Sequence, residues 1–218
     1  MTKEPREIAG WVLAGGASSR MGRAKALLEV AGEPMIVRTT RLIQQVVGPG
    51  TVVGAVGESE KLGLRAIEDD VPGAGPLGAI ATALRVSGAA WNLILACDLP
   101  YLQHEWLEFL VKRALESTAD AVIPRNLEGP EPLCAVYHKC GEPLIRTAIE
   151  HGVRKVTDGL QYLRVETIEP DEWKVFDSQG LLFKNMNSPE DYQEAKTRLE
   201  AQARGSGKQT AHPLPPSG

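Results

Sequence analysis

The chain has 218 residues, of which 43% are hydrophobic and 24% are charged, and this composition is typical of a soluble globular protein. The formal net charge is −4, so there is no general basic surface for nucleic acid or an anionic membrane, and no run of about 18 apolar residues predicts a membrane span. With three cysteines and no convincing signal peptide, we expect neither a disulfide scaffold nor secretion, but a cytoplasmic protein.

The first part of the chain predicts alternating strands and helices. Short apolar runs indicate buried strands, and apolar residues at helical spacing indicate helices. In chain order we predict strand Ile8–Ala14, helix Pro34–Val47, strands Thr51–Val56 and 63–69, helix Pro76–Ser87, strand Trp91–Asp98, helix Gln103–Ser117 and strand 120–124. Repeated strand-then-helix units predict an α/β domain with a parallel sheet covered on both faces.

The second part is less regular. The predicted elements are a strand over Pro132–His138, a helix over 141–152, a strand over 162–169 and a final helix that opens at Ser188. Ser188 followed by Pro189 predicts an N-cap and a first-turn proline. Residues 1–200 are predicted to form one domain, and residues 201–218, rich in Gly, Pro and Ser, a disordered tail.

Ligands of open α/β sheets bind in the crevice beyond the carboxyl ends of the strands. Polar and glycine-rich segments that follow the predicted strands are therefore candidates for the site. They are the loop Leu13–Lys25, Asp69 with Asp70, Cys97 with Asp98, and Asn185 with Asn187.

The loop Leu13–Lys25 places three glycines and three cations directly after the first strand. The glycines allow a tight turn with backbone N–H groups toward an anion, and the cations can bind phosphate: Gly15, Gly16, Gly22, Arg20, Arg23 and Lys25. The spacing matches neither the Walker A motif nor the dinucleotide fingerprint G-x-G-x-x-G. We interpret the loop as a nucleoside triphosphate site, the alternative being a solvated loop.

Asp98 follows the most apolar strand, at the edge where a ligand would lie. A carboxylate there suits Mg²⁺, which takes one or two carboxylates together with phosphate oxygens. The alternative is a turn-forming Asp before Pro100. Asp69 and Asp70 precede another glycine-rich segment; one of them could contact a base, a sugar or the metal, or both could be solvated turn residues.

Two further pairs are weaker candidates. Asn185 and Asn187 share one face if the segment is extended, so they could bind polar ligand groups or metal-bound water, or serve only to cap the following helix. Arg154 and Lys155 form a second positive spot, which could equally be a solvated helix start.

The motifs "LAGGASSRMGRAKALL", "IEDDVPGAGPLGAI", "ILACDLPYL" and "FKNMNSPEDY" occur in the order found in molybdenum cofactor guanylyltransferases, and the chain resembles that family from about Ile8 to about Lys196. The resemblance implies a single Rossmann-like three-layer domain with a mostly parallel central sheet, as in nucleotide-diphospho-sugar transferases. It also implies Mg²⁺-dependent transfer of GMP from GTP to molybdopterin-type cofactor, giving the guanine dinucleotide form and pyrophosphate. Molybdenum-insertion proteins and target apoenzymes are the further partners that it implies.

The resemblance also implies roles for individual residues. Leu13, Ala14, Gly15, Gly16, Arg20 and Gly22 match the GTP-binding loop, and Lys25 its phosphate-contacting lysine. Asp69 matches the GTP-contacting aspartate and Asp98 the Mg²⁺-binding one. Asn185 and Asn187 match an asparagine pair on the cofactor side, where Arg154 and Lys155 are further candidates. The catalytic set is Arg20, Lys25 and Asp98.

Two departures bear on the nucleotide. Many relatives carry Asp where this chain has Ala24, and some carry Asn where it has Gly54, so guanine specificity is less strongly indicated than phosphate transfer. Cytidylyl transfer, or transfer of a nucleotide to another phosphorylated acceptor, stays open as an alternative, although Gly15-Gly16 favours GTP because CTP-using relatives typically have "LAAG". A non-catalytic nucleotide-binding module in cofactor insertion also stays open, while the missing fingerprint opposes a redox dinucleotide enzyme.

Overall fold

The computed structural model describes residues 7–15, 25–177 and 179–206. The strands are β1 Ile8–Leu13, β2 Glu29–Val30, β3 Glu33–Pro34, β4 Gly50–Val53, β5 Ala66–Ile67, β6 Trp91–Ala96, β7 Ala121–Pro124, β8 Cys134–His138 and β9 Val165–Ile168. The α-helices are α1 Met35–Val47, α2 Val56–Lys61, α3 Gly75–Val86, α4 His104–Glu116, α5 Glu142–Glu150, α6 Val156–Gly159, α7 Pro170–Trp173 and α8 Pro189–Ser206. Short 3₁₀ helices cover Lys25–Leu27, Lys139–Gly141, Leu160–Tyr162 and Lys174–Phe176.

Seven strands form the central sheet in the order β5-β4-β1-β6-β8-β7-β9. The pairs β5–β4, β4–β1 and β1–β6 are parallel, whereas β8 runs antiparallel to both β6 and β7. The start of β8 therefore lies at the same edge of the sheet as the carboxyl ends of β1, β4 and β6, where a ligand is expected.

The two faces of the sheet are covered by different helices. One apolar cluster joins α1 and α4 to the sheet through residues such as Ile43 and Trp106. The other joins α3, α5 and α6 to the opposite face through residues such as Ile80, Ile145 and Val156. This three-layer, mostly parallel α/β arrangement confirms the fold class predicted from the sequence.

Two contacts fix the centre of the sheet. A Cβ atom at Gly10 would lie 2.2 Å from Cγ2 of Ile43, so the glycine lets α1 pack directly on β1. The buried indole Nε1 of Trp11 donates to Oδ1 of buried Asn92 at 2.9 Å, which satisfies two polar groups that would be costly to leave unpaired. The bond joins β1 to β6, the two strands that lead into the candidate site.

The last helix packs on a smaller cluster near the start of α1, where Met35, Tyr101, Met186 and Leu199 meet. Ser188 caps this helix as predicted, because its Oγ accepts from the N–H of Asp191 at 3.1 Å while Oδ2 of Asp191 accepts from the N–H of Ser188 at 2.9 Å. The helix continues to Ser206, past the predicted domain boundary at residue 200. That boundary stays a prediction, and residues 207–218 lie outside the described ones.

The predicted strands and helices are each present, although the strand predicted over 63–69 is reduced to Ala66–Ile67 and the one over 162–169 to Val165–Ile168. The predicted strand Thr51–Val56 ends at Val53, because Gly54 and Ala55 take left-handed backbone angles (φ +84° and +46°) and α2, which we did not predict, follows. Among the helices in the described part of the chain, none combines the length and apolar character that a membrane span requires.

Candidate active site

The first part of the site is the end of β1. Leu13 is buried in the sheet, and the N–H of Ala14 continues the ladder by donating to the carbonyl of Val53 at 3.0 Å. Gly15 is exposed immediately after it. The predicted phosphate loop thus leaves the sheet at the carboxyl edge of a central parallel strand, which is the position expected for a nucleotide loop.

Of the other predicted loop residues, Gly16, Arg20 and Gly22 lie outside the described residues. Lys25 begins the 3₁₀ helix Lys25–Leu27, but its side chain is outside the described part. The structure therefore locates the two ends of the loop and not the cations within it.

Asp98 lies at the same edge, two residues beyond the end of β6, and is half-buried. Its carbonyl accepts from the N–H of Met186 at 3.0 Å, and the buried Met186 side chain anchors that late segment. This contact brings Asn185 beside Asp98, so both line one pocket of about 390 Å³. The predicted juxtaposition of Asp98 with Asn185 is therefore present.

Asn185 and Asn187 also contact each other, since Nδ2 of Asn187 donates to Oδ1 of Asn185 at 3.2 Å. The backbone N–H of Asn187 is held by Oδ2 of Asp191 at 3.1 Å. Asn185 lines the pocket, whereas Asn187 does not. Asn187 thus supports Asn185 from the start of α8. Asn185 fits the functional interpretation of the pair, and Asn187 fits the capping one.

Glu131 is a pocket residue that sequence reasoning missed. It precedes β8 and lines the pocket together with Asp98, and its Oε1 accepts from Nδ2 of Asn126. Burial, with smaller contributions from the charges of Glu128 and Asp98, raises the pKa of Glu131 to about 7. A carboxyl between Pro130 and Pro132 was visible in the sequence, but its location depends on β8 being antiparallel, which the sequence did not indicate.

Arg154 and Lys155, between α5 and α6, line the same pocket. Nη1 of Arg154 donates to the carbonyls of Ile149 and Val153 at 2.9 and 2.8 Å, so this guanidinium also caps the end of α5. Lys155 is exposed at the start of α6. The second positive spot predicted from the sequence therefore borders the same pocket as Asp98.

Asp69 and Asp70 follow β5, on the other side of β1. Oδ1 of Asp69 accepts from Thr82 Oγ1 at 2.8 Å and from the N–H of Val71 at 3.0 Å. Asp70 pairs with Nε of Arg85 at 2.5 Å. Hydrogen bonding from Thr82 and the charges of Arg85 and Arg146 keep the pKa of Asp70 below its ordinary value although burial opposes this. Neither residue lines the pocket of Asp98, and both tie the turn to α3.

The N-terminus of α3 opens on the same edge of the sheet, where Pro76 lines the pocket. Among the described residues, no side chain caps its first turn by a hydrogen bond. The first N–H groups of a helix carry partial positive charge, and a twelve-residue helix such as α3 provides that charge beside the pocket. Phosphate is favoured at such a position.

The donor atoms at Asp98 fit magnesium, because its carboxylate and the amide oxygen of Asn185 are hard oxygen donors. In the described part of the chain, no three His, Cys, Asp or Glu side chains form a metal cluster. A cation at Asp98 would therefore take only one or two protein carboxylates and complete its shell with phosphate oxygens and water, as Mg²⁺ does with nucleotides.

Comparison with known proteins shows the family to which the chain is similar. Residues 10–165 match the family model described as the MobA-like NTP transferase domain. The chain is 33% identical over 195 residues to a probable molybdenum cofactor guanylyltransferase of Pelotomaculum thermopropionicum, with 89% of this chain and 94% of that protein aligned. A protein of the same name from Natronomonas pharaonis is 34% identical over 207 residues, covering 88% of this chain and 98% of its own.

A solved structure is also similar. Molybdopterin-guanine dinucleotide biosynthesis protein A from Archaeoglobus fulgidus superposes with a TM-score of 0.74 at 28% identity, and the match covers 87% of this chain and 97% of that one. The sheet and the pocket edge described above thus belong to a known nucleotidyltransferase architecture.

Proposed function

The chain belongs to the family of molybdenum cofactor guanylyltransferases, which are nucleotidyltransferases, and on that premise we propose that it transfers GMP from GTP to molybdopterin-type cofactor, with Mg²⁺ bound. The products are the guanine dinucleotide cofactor and pyrophosphate. The observation that carries the proposal is the carboxylate of Asp98 in a pocket that it shares with Asn185 and Lys155, one strand away from the loop that leaves β1.

The reaction needs no activated side-chain nucleophile. An oxygen of the acceptor's terminal phosphate attacks the α-phosphorus of GTP, a new phosphorus–oxygen bond forms, and the bond to the leaving pyrophosphate breaks. Because the attacking oxygen is already anionic, the protein contributes mainly by positioning the reactants and by stabilising charge.

On the nucleotide side, Leu13, Ala14 and Gly15 direct the loop, while backbone N–H groups of Gly15, Gly16 and Gly22 bind the phosphates. Arg20 and Lys25 neutralise the triphosphate, and Asp69 orients the nucleoside through the turn that Thr82 supports. Asp98 would hold Mg²⁺, which supplies positive charge to the phosphate oxygens at the reacting phosphorus.

On the acceptor side, Arg154 and Lys155 bind the anionic groups of the cofactor. Asn185 and Asn187 orient it beside Asp98. The support for this division is that Arg154, Lys155 and Asn185 line the same pocket as Asp98, and that Asn187 contacts Asn185.

The test is Asp98→Asn, assayed for pyrophosphate release with GTP, Mg²⁺ and molybdopterin. We expect the rate to fall by about a hundredfold or more, because the variant loses the charge that holds the metal at the reacting phosphate. Asp158→Asn is the matched control, since Asp158 is an exposed acid of α6 that does not line the pocket; its rate should stay within about twofold.

Two results would overturn parts of the proposal. An unchanged rate in the Asp98→Asn variant would remove the metal role of this residue. If the wild type prefers CTP over GTP in the same assay, the donor is CTP and the transferred group is CMP. Ala24 and Gly54, which weaken the case for guanine specificity, would be consistent with that result.

A further inference from the structure

The backbone of Glu131 is held at the pocket wall by hydrogen bonds on both of its polar groups. Its N–H donates to the carbonyl of Pro124 at 2.8 Å, and its carbonyl accepts from the N–H of Cys134 at 3.1 Å. The next residue is held as well, because the hydroxyl of buried Tyr137 donates to the carbonyl of Pro132 at 2.8 Å. A residue whose backbone is held in this way is preorganised for recognition.

Asn126 orients the carboxyl group itself. Its Nδ2 donates to Oε1 of Glu131, while its Oδ1 accepts from the N–H groups of Glu128 and Gly129 at 2.7 and 2.9 Å. The amide is thus locked in the turn. Among the described residues, no donor bonds Oε2 of Glu131, so the carboxyl group presents acceptor capacity to the pocket that it lines.

The position of Glu131 in the sheet assigns it to the acceptor side. It precedes β8, and β8 lies on the opposite side of β6 from β1. Neighbouring strands are about 4.8 Å apart, so the end of β1 and the start of β8 are separated by about 10 Å. Asp98, at the end of β6, lies between the nucleotide loop and Glu131.

The remaining pocket wall suits a flat heterocycle that carries an anion. Buried Leu99, Pro132 and Val156 provide apolar surface, and Arg154 and Lys155 provide positive charge. The volume of about 390 Å³ is within the range of small-molecule sites, which combine apolar walls with a few placed polar groups.

Building on the proposed function, we propose that Glu131 is a specificity residue for the acceptor: its carboxylate accepts hydrogen bonds from the amino group and adjacent ring N–H of the pterin's aminopyrimidinone ring. Two neighbouring donors on one edge of a ring match the two oxygens of a carboxylate. Guanine presents the same two donors on one edge. The loop proposed to bind GTP follows β1, however, whereas Glu131 precedes β8, and Asp98 lies between them. This separation favours the pterin as the partner of Glu131.

The test measures binding of free pterin by fluorescence at about pH 7, where its ring N–H is retained, with lumazine as the comparison ligand. Lumazine carries a carbonyl oxygen where pterin carries the amino group, so it should meet the carboxylate with repulsion. We expect the wild type to bind pterin about tenfold or more tightly than lumazine, because a site built for donors rejects an analogue that lacks one. Glu131→Gln should lose most of this preference.

Glu116→Gln is the matched control, because Glu116 is an exposed residue at the end of α4 and does not line the pocket; it should keep the wild-type preference. In the transfer assay, Glu131→Gln should raise KM for molybdopterin about tenfold and leave KM for GTP unchanged. Three results would each overturn the proposal. They are equal binding of pterin and lumazine by the wild type, an unchanged preference for pterin in Glu131→Gln, and a rise in KM for GTP alone in that variant.

The same measurements separate this inference from the function on which it rests. Pterin discrimination that depends on Glu131, in a protein that transfers no GMP, would support the inference while the proposed function fails. Transfer that is unaffected by Glu131→Gln would support the function while the inference fails.

Discussion

Gly54 shows how a single residue can determine where the chain leaves β1. It has φ of +84°, and a Cβ atom there would lie 3.2 Å from both Cα and N of Gly15. Its own N–H donates to the carbonyl of Ile67 at 2.9 Å, so it cannot shift without disturbing the end of the β4–β5 ladder. The start of the loop therefore rests against a backbone that carries no side chain.

We predict that Gly54→Ala lowers stability and weakens nucleotide binding. A left-handed backbone costs a non-glycine residue about 1–2 kcal/mol, and the new methyl group would push Gly15 away from the sheet. Gly63→Ala is the control, because Gly63 also has positive φ, +73°, but no atom lies within 4 Å of its Cβ position. Urea unfolding should show a similar loss in both variants, whereas KM for GTP should rise severalfold only in Gly54→Ala; equal KM values would contradict this.

At the scale of elements, the edge of the sheet is pinned by Asp120. This buried carboxylate accepts from the backbone N–H of Arg164 at 2.9 Å and from its Nη2 at 2.7 Å, which ties the start of β7 to the segment before β9. Hydrogen bonding from the Arg164 side chain, opposed by burial, lowers the pKa of Asp120 from its ordinary 3.8 to about 2.

This pKa shift predicts acid sensitivity of folding. Because the folded pKa lies below the unfolded one, the unfolded chain binds more protons between these values, and the stabilisation is complete above about pH 4 and lost as the pH falls toward about 2. Urea unfolding of the wild type at several pH values between about 5 and 3 should reveal that slope.

Asp120→Asn should reduce the slope, because the amide does not titrate. Asp171→Asn, at an exposed position of α7, should retain the slope of the wild type. If Asp120→Asn and the wild type lose stability in parallel, the contact with Arg164 does not control the acid limit.

At the scale of the whole molecule, the proposed site joins elements from both halves of the chain. Asp98 follows β6, Glu131 precedes β8, Lys155 precedes α6, and Asn185 comes from the segment before α8. A ligand bound there contacts segments that separate on unfolding, so binding should stabilise the entire domain.

We predict that GTP with Mg²⁺ raises the melting temperature. At a ligand concentration of about 100 times Kd, linkage adds about 2.7 kcal/mol, which corresponds to about 5–10 °C for a domain of this size. Chelation of the metal should remove most of the increase, and Asp98→Asn should show little metal-dependent shift. The metal-dependent rise in melting temperature should be of wild-type size in Asp158→Asn. A rise of the same size in Asp98→Asn would contradict a metal site at Asp98.

The sequence predicted those features that depend on local periodicity. The apolar runs identified β1 and β6, and their ends gave Gly15 and Asp98 as edge residues, because a strand that is buried on both faces must deliver its next polar residues to the end of the sheet. The same local signals predicted the cap at Ser188, which the structure confirms. The motif set then indicated the family, in agreement with the comparisons.

What only the tertiary structure decided is which distant segments meet at that edge. Glu131 lies beside Asp98 because β8 pairs antiparallel with β6, and Asn185 lies there because the N–H of Met186 bonds to the carbonyl of Asp98. Strand direction and such single backbone contacts leave no periodic pattern in the chain. They are set by how the whole sheet and its covering helices pack, and this is why the sequence offered Asn185, Arg154 and Lys155 as acceptor-side candidates but did not indicate Glu131.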